Sequence, residues 1–194
     1  VRINPAIWAF PASAPVYYGI LGTGRGKPFT MSQSTSEKTD TLPKKGEMAP
    51  DFTLPQDGGD PVTLSDLRPA PVVVFFYPRD DTPGCTIENK DFTDLAKDFS
   101  KAGAVVLGIS KDTVEKHEKF RKKHDLSSIL LSDADSDVCE RYGVWGEKQM
   151  YGKTFEGITR ATFLIDRDGK IAEVWPKVKV KGHVEAVLAA VEAL

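Results

Sequence analysis

The chain has few cysteines, few histidines and almost no charge imbalance, and each shortage removes a class of function. Its 194 residues include 2 cysteines and 3 histidines. Two cysteines cannot staple a disulfide scaffold, and neither stands in a Cys-x-x-Cys pair. A structural zinc site and a thioredoxin-type dithiol are therefore disfavoured. A working thiol in a reducing compartment, the cytoplasm, suits this usage. The formal net charge is -2, charges of both signs are interspersed, and no basic patch carries interleaved aromatics. Nothing here attracts nucleic acid or an anionic membrane. No uninterrupted apolar run approaches the roughly 18 residues that a membrane span needs.

Residues 1–30 lack acidic side chains altogether; Arg2, Arg25 and Lys27 are their only charges. The following Met31-Ser32-Gln33-Ser34-Thr35-Ser36 reads as a natural start or a flexible linker. The expected organisation is a disordered N-terminal extension over 1–43, with Met31 the alternative true start, and one folded domain over 44–194. A secretory leader cleaved at Ala12-Ser13-Ala14 is disfavoured, because Pro5, Pro11 and Pro15 break its apolar region. Gly22-Thr23-Gly24-Arg25-Gly26-Lys27 is not a phosphate loop: Leu21 stands where the first glycine belongs, and Pro28 where Ser or Thr belongs.

What is present from Gly46 onward is an alternation of strand and helix signals. Phe52-Thr53-Leu54 and Val62-Thr63-Leu64 flank Gln56-Asp57-Gly58-Gly59-Asp60, which predicts a hairpin. Val72 to Tyr77 is continuously apolar, as a central strand covered on both faces requires. Phe92, Leu95, Ala96 and Phe99 recur with helical spacing and predict one helix ending near Gly103. A strand over 104–109, a charged helix capped by Asp112-Thr113 and a strand over 129–131 follow. Asp135-Ser136 is expected to cap a short helix bearing Val138, Cys139 and Tyr142. Residues 161–165 are expected to pair with 171–175, before a last helix from about Gly182. The pattern indicates an α/β fold with a mixed sheet.

Cys85 is the residue most suited to chemistry. It follows the 72–77 strand across Pro78-Arg79-Asp80-Asp81-Thr82-Pro83-Gly84 and falls where the next helix begins. The reactive form of cysteine is the thiolate, and the free N–H groups at a helix start favour it. A small buried hydrophobe is the bland alternative. Thr82 and Gly84 flank the cysteine, and Pro78 and Pro83 stiffen the loop.

Pro78-x-x-x-Thr82-x-x-Cys85 resembles the active-site motif of the peroxiredoxins, and Phe76-Tyr77-Pro78 with Thr82-Pro83-Gly84-Cys85-Thr86 is similar to their Q-type, or bacterioferritin comigratory protein, group. The likeness extends through 46–52, Leu130-Leu131-Ser132-Asp133, 142–148 and Arg160-Ala161-Thr162-Phe163-Leu164-Ile165-Asp166. It implies a thioredoxin-like fold and a peroxidase that needs no metal, haem or flavin. By this resemblance Cys85 is the peroxidatic cysteine, Arg160 its guanidinium partner, Thr82 the hydroxyl that aligns the peroxide and Pro78 a shield over the site. Glu88 would orient Arg160, and Gly84 supports the loop. The substrates would be hydrogen peroxide and organic hydroperoxides. The reductant would be thioredoxin, or glutathione with glutaredoxin, and the chain would be a monomer.

The resolving thiol is where the chain departs from many Q-type members. These carry a second cysteine five residues after the first, a position held here by Lys90. Cys139 is the only internal candidate; it is either a resolving cysteine reached by local unfolding or a buried packing residue. In the second case an outside thiol must reduce the sulfenic acid. A non-enzymatic redox sensor or holdase using the same thiol is the rival function, and a thiol–disulfide oxidoreductase is disfavoured by the missing Cys-x-x-Cys.

Other constellations carry less. Asp133-Ala134-Asp135-Ser136-Asp137 opens like a calcium loop, but Val138 replaces the needed glycine and Val144 the terminal glutamate, which leaves turn and cap acids. His117 and His124, seven apart, lack zincin spacing and read as a half-exposed helix face. Trp145 and Trp175 read as core or pocket-wall residues.

Overall fold

The computed structural model of the chain describes residues 42–150 and 152–194. Nearly all of the expected extension, Met31 included, lies outside the described residues.

Five strands form one sheet: β3 (Val72–Phe76), β4 (Val105–Ser110), β5 (Ile129–Ser132), β8 (Ala161–Ile165) and β9 (Ile171–Trp175), in the order β5-β4-β3-β8-β9. β3, β4 and β5 run parallel; β8 and β9 join antiparallel, with Val74 opposite Phe163 across β3 and β8. Every residue of the central β3 is buried, which accounts for its continuous apolar run. Two short strands, β1 (Thr53–Leu54) and β2 (Val62–Thr63), form the expected N-terminal hairpin.

Alternation along β3 divides the core into two layers. Val72, Val74 and Phe76 face one layer, with Leu107, Ile109, Phe163, Tyr142 and Cys139. Val73, Phe75 and Tyr77 face the other, with Phe92, Phe99, Phe120, Val184, Val187 and Cys85. The second layer is covered by α1 (Pro83–Asp94), α2 (Ala96–Lys101), α3 (Val114–His124) and α5 (His183–Glu192); the short α4 (Val138–Arg141) lies on the first. Phe75 stacks on Phe92 with ring centroids 4.4 Å apart, and each buried phenylalanine contributes about 2–3 kcal/mol.

The structure departs from the sequence expectations in four places. The helix expected through Gly103 breaks at Leu95, which closes α1 and opens α2 with φ -95 and ψ 6. Phe92 and Phe99 stay in one core layer across the break, so the apolar period runs through it. A second hairpin, β6 (Trp145–Met150) with β7 (Lys153–Ile158), was not anticipated; its strands mix Gly, Glu, Lys and Gln without apolar alternation. α4 is held by Asp133, whose carboxylate accepts from the N–H groups of Val138 and Cys139 at 3.0 and 2.8 Å, whereas the expected caps Asp135 and Ser136 lie before its N-cap, Asp137. His117 does not lie on a half-exposed face; it is fully buried, because a carboxylate and a carbonyl satisfy both its ring nitrogens. Among the described residues, no helix is long and apolar enough to cross a membrane.

Candidate active site

The loop Pro78–Thr82 carries the chain from the end of β3 to α1. Thr82 takes the N-cap position with extended backbone (φ -91, ψ 150), and Pro83 occupies the first helical position, where its missing N–H costs nothing. Cys85 is therefore the third residue of α1. The first helical bond of this turn runs from Thr86 N–H to the Thr82 carbonyl at 2.8 Å, so the N–H groups before it remain directed at the helix mouth. The Thr82 hydroxyl makes no capping bond; it donates to the Arg79 carbonyl at 3.1 Å, and its oxygen lone pairs remain able to accept.

Arg160 enters from the two-residue link between β7 and β8. Its backbone is fixed on both sides: Thr159 N–H donates to the Val144 carbonyl at 2.7 Å, and Val178 N–H to the Arg160 carbonyl at 3.1 Å. The guanidinium Nη2 donates to the Cys85 sulfur at 3.1 Å, while Nη1 bonds Glu88 Oε2. Gly84 lies beside this approach; a Cβ there would be in ordinary contact with Nη2, at 3.4 Å. Cys85 is 1% exposed and Glu88 0%, so the three groups form a nearly dry cluster. Burial pushes the Glu88 carboxyl up to about 7, against the opposing pull of Arg160. Burial disfavours the Arg160 cation, but Glu88 and the sulfur hold its pKa above the ordinary value. The guanidinium thus places a fixed positive charge directly against the buried sulfur.

The AhpC/TSA family model matches residues 45–174.

The chain belongs to the AhpC/TSA family.

Among its relatives, Peroxiredoxin Bcp of Escherichia coli is 48% identical over 145 residues, which is 75% of this chain and 93% of the relative. Peroxiredoxin Bcp of Bacillus subtilis is 46% identical over 143 residues, 74% of this chain and 91% of the relative. A solved structure of Xanthomonas campestris Peroxiredoxin Q superposes with a TM-score of 0.72 at 43% identity, covering 80% of this chain and 98% of that one. The bacterioferritin comigratory protein of the same organism, described for its alkyl peroxide reduction activity, gives 0.69 at 44% identity over 73% of this chain and 90% of that one. The protein is thus a peroxiredoxin of the Q-type group with the thioredoxin-like fold, and a thiol-dependent peroxidase.

Within this peroxiredoxin the structure gathers Thr82, Gly84, Cys85, Glu88 and Arg160 at the start of α1, with Pro78 exposed at the loop's entrance. It does not bring Cys139 to them. Cys139 is buried in the layer on the opposite face of the sheet from Cys85. Burial, and then the Asp133 charge, push its thiol far above the ordinary range. Lys90, at the position of the missing second cysteine, is exposed on α1.

Three further groups near this peroxiredoxin site were not singled out by sequence. Lys148 on β6 donates to the Ile158 carbonyl; burial and the Arg160 charge lower its pKa, while the Cys85 sulfur acts to raise it. His183 at the start of α5 bonds the Thr162 hydroxyl at 2.8 Å, and burial, reinforced by Arg160, lowers its pKa to about 4. Asp80, within the loop, pairs with His117. Only the spacing of His117 and His124 gave any hint of this last contact. Among the described residues, no group of three His, Cys, Asp or Glu side chains is arranged to hold a metal ion.

Proposed function

We propose that Cys85 is the peroxidatic residue and that the protein is a one-cysteine enzyme served by an outside thiol. The contact of Arg160 Nη2 with the Cys85 sulfur at 3.1 Å carries the reading. The Cys85 thiolate attacks one oxygen of the hydroperoxide; an S–O bond forms as the O–O bond breaks. The departing oxygen takes up a proton and leaves as water or an alcohol, and Cys85 is left as sulfenic acid. Arg160 and the free N–H groups of the first turn of α1 stabilise negative charge on the departing oxygen. Thr82 aligns the O–O bond with the sulfur through its hydroxyl, Pro78 shields the loop, and Glu88 holds Arg160 in its fork. Organic hydroperoxides join hydrogen peroxide as substrates, in line with the alkyl peroxide reduction described for the Xanthomonas relative.

An outside thiol then attacks the sulfenic acid, releasing water and forming a mixed disulfide, and a second thiol frees Cys85. Cys139 is unsuited to resolving: it lies across the sheet, its thiol resists ionisation, and its backbone is held by Asp133. Thioredoxin, or glutathione with glutaredoxin, fits the role, and the working unit is a monomer in the cytoplasm.

The test is intact mass with thiol counting after one equivalent of hydrogen peroxide on the reduced chain. The expected product carries one added oxygen on Cys85 with Cys139 still free. Loss of both thiols without dimerisation would instead make Cys139 resolving, and no rapid reaction at Cys85 would overturn the assignment.

A further inference from the structure

The residues between β3 and α1 are not held by their own turn alone; α3 grips two of them. His117 and His124 stand seven apart on α3, about two turns, so they share one face. His117 Nδ1 lies 2.8 Å from Asp80 Oδ2, and Nε2 lies 3.2 Å from the Leu131 carbonyl. The ring is thus held between a carboxylate on one side and a backbone carbonyl on the other, both of which only accept. The other Asp80 oxygen accepts from the Tyr77 hydroxyl at 2.7 Å, and the Asp80 N–H donates to Asp112 Oδ2 at 2.8 Å. One residue later Asp81 takes φ 59, a left-handed conformation that side chains other than glycine rarely hold. Its carboxylate is bound from the last turn of α3 by Lys123 at 2.6 Å and His124 at 2.7 Å.

A buried polar network whose members are all satisfied rigidifies the residues that it joins. Here the fixed residues immediately precede Thr82, whose hydroxyl donates to Arg79 and whose carbonyl accepts the first bond of α1. Any displacement of Asp80 or Asp81 passes through Thr82 to the turn that carries Cys85. We infer that His117 on Asp80, with Lys123 and His124 on Asp81, are positioning residues that set where Thr82 presents a peroxide to the sulfur. The inference rests on Cys85 being the peroxidatic residue.

The experiment compares two reactions of Cys85 in the full chain, for wild type, His117→Ala and Asp80→Asn. Reaction with hydrogen peroxide is followed by stopped flow, and alkylation by iodoacetamide by peptide mass spectrometry. Alkylation demands a nucleophilic thiolate; peroxide reduction demands alignment as well. The peroxide rate is expected to fall about 30- to 100-fold while alkylation stays within about threefold, with cooperative melting retained. His117→Gln, which restores one N–H donor, should recover part of the loss. If His117→Ala does not fold, the surface double variant Lys123→Ala/His124→Ala releases Asp81 alone, and should slow the peroxide reaction about tenfold by the same comparison. Equal falls in both rates would overturn the inference, since the thiolate and not its alignment would have been lost. So would a wild-type peroxide rate in the folded variants. Cys85→Ser run alongside separates the two readings, because retained peroxidase activity in that variant would sink the peroxidatic assignment itself.

Discussion

At the scale of single residues, the proposed chemistry rests on one sulfur, one guanidinium and one carboxylate that share a dry space. Cys85→Ser should abolish peroxidase turnover, because a neutral hydroxyl without a general base is a poor nucleophile. Arg160→Ala should slow the peroxide reaction by about 100- to 1,000-fold, the usual loss when a preorganised donor to developing charge is removed; stopped-flow kinetics on the reduced protein would measure it. Glu88 offers a pH test that needs no substrate. Its folded pKa is raised from 4.5 to about 7, so the folded chain holds a proton that the unfolded chain has released. Stability from this group is full below 4.5 and is lost as pH rises towards 7. Glu88→Gln should flatten that part of the melting-temperature profile, and a slope identical to wild type would contradict the placement of this carboxyl. The sequence made Cys85 legible because a lone cysteine after an apolar strand is conspicuous. Arg160 was legible only through its neighbours' resemblance to a family block, since the fold alone brings together residues so far apart in the chain.

At the scale of elements, local signals worked where burial is one-sided or complete, and failed where polar contacts decide. β3 was legible from its apolar run and α5 from its apolar face. The β6–β7 hairpin was not, because neither of its strands alternates apolar with polar residues. The cap of α4 was misplaced for a related reason: the carboxylate of Asp133, five residues before the first N–H that donates to it, does the work, and sequence spacing favours nearer acids. Asp133→Ala should destabilise the fold by about 3 kcal/mol, since it strips two N–H groups of their acceptor and leaves Lys111, 3.1 Å away, without this partner; a shift of the urea midpoint would report it. α5 supplies a second pH test, of opposite sign to Glu88. The pKa of His183 falls from 6.5 to about 4, so its contribution is present above 6.5 and is lost as pH drops towards 4. His183→Gln, able to keep a bond to Thr162, should flatten the acid side of the melting-temperature profile.

At the scale of the whole molecule, the family match begins at residue 45, and the described contacts of the site lie within 78–183. A chain lacking residues 1–30 should therefore keep full peroxidase activity in a coupled assay, and a large loss would tie that segment to the catalytic domain. The larger consequence comes from the sheet. It places the two thiols in separate core layers, so on the proposed one-cysteine reading a chain that has met a peroxide has no partner of its own at hand. A catalyst of that proposed kind would have no internal step in which to wait: each cycle would end when a second molecule arrived by diffusion. Its throughput then follows the supply of reducing thiol, and a burst of peroxide that outruns this supply leaves a population of spent molecules whose number records the size of the burst.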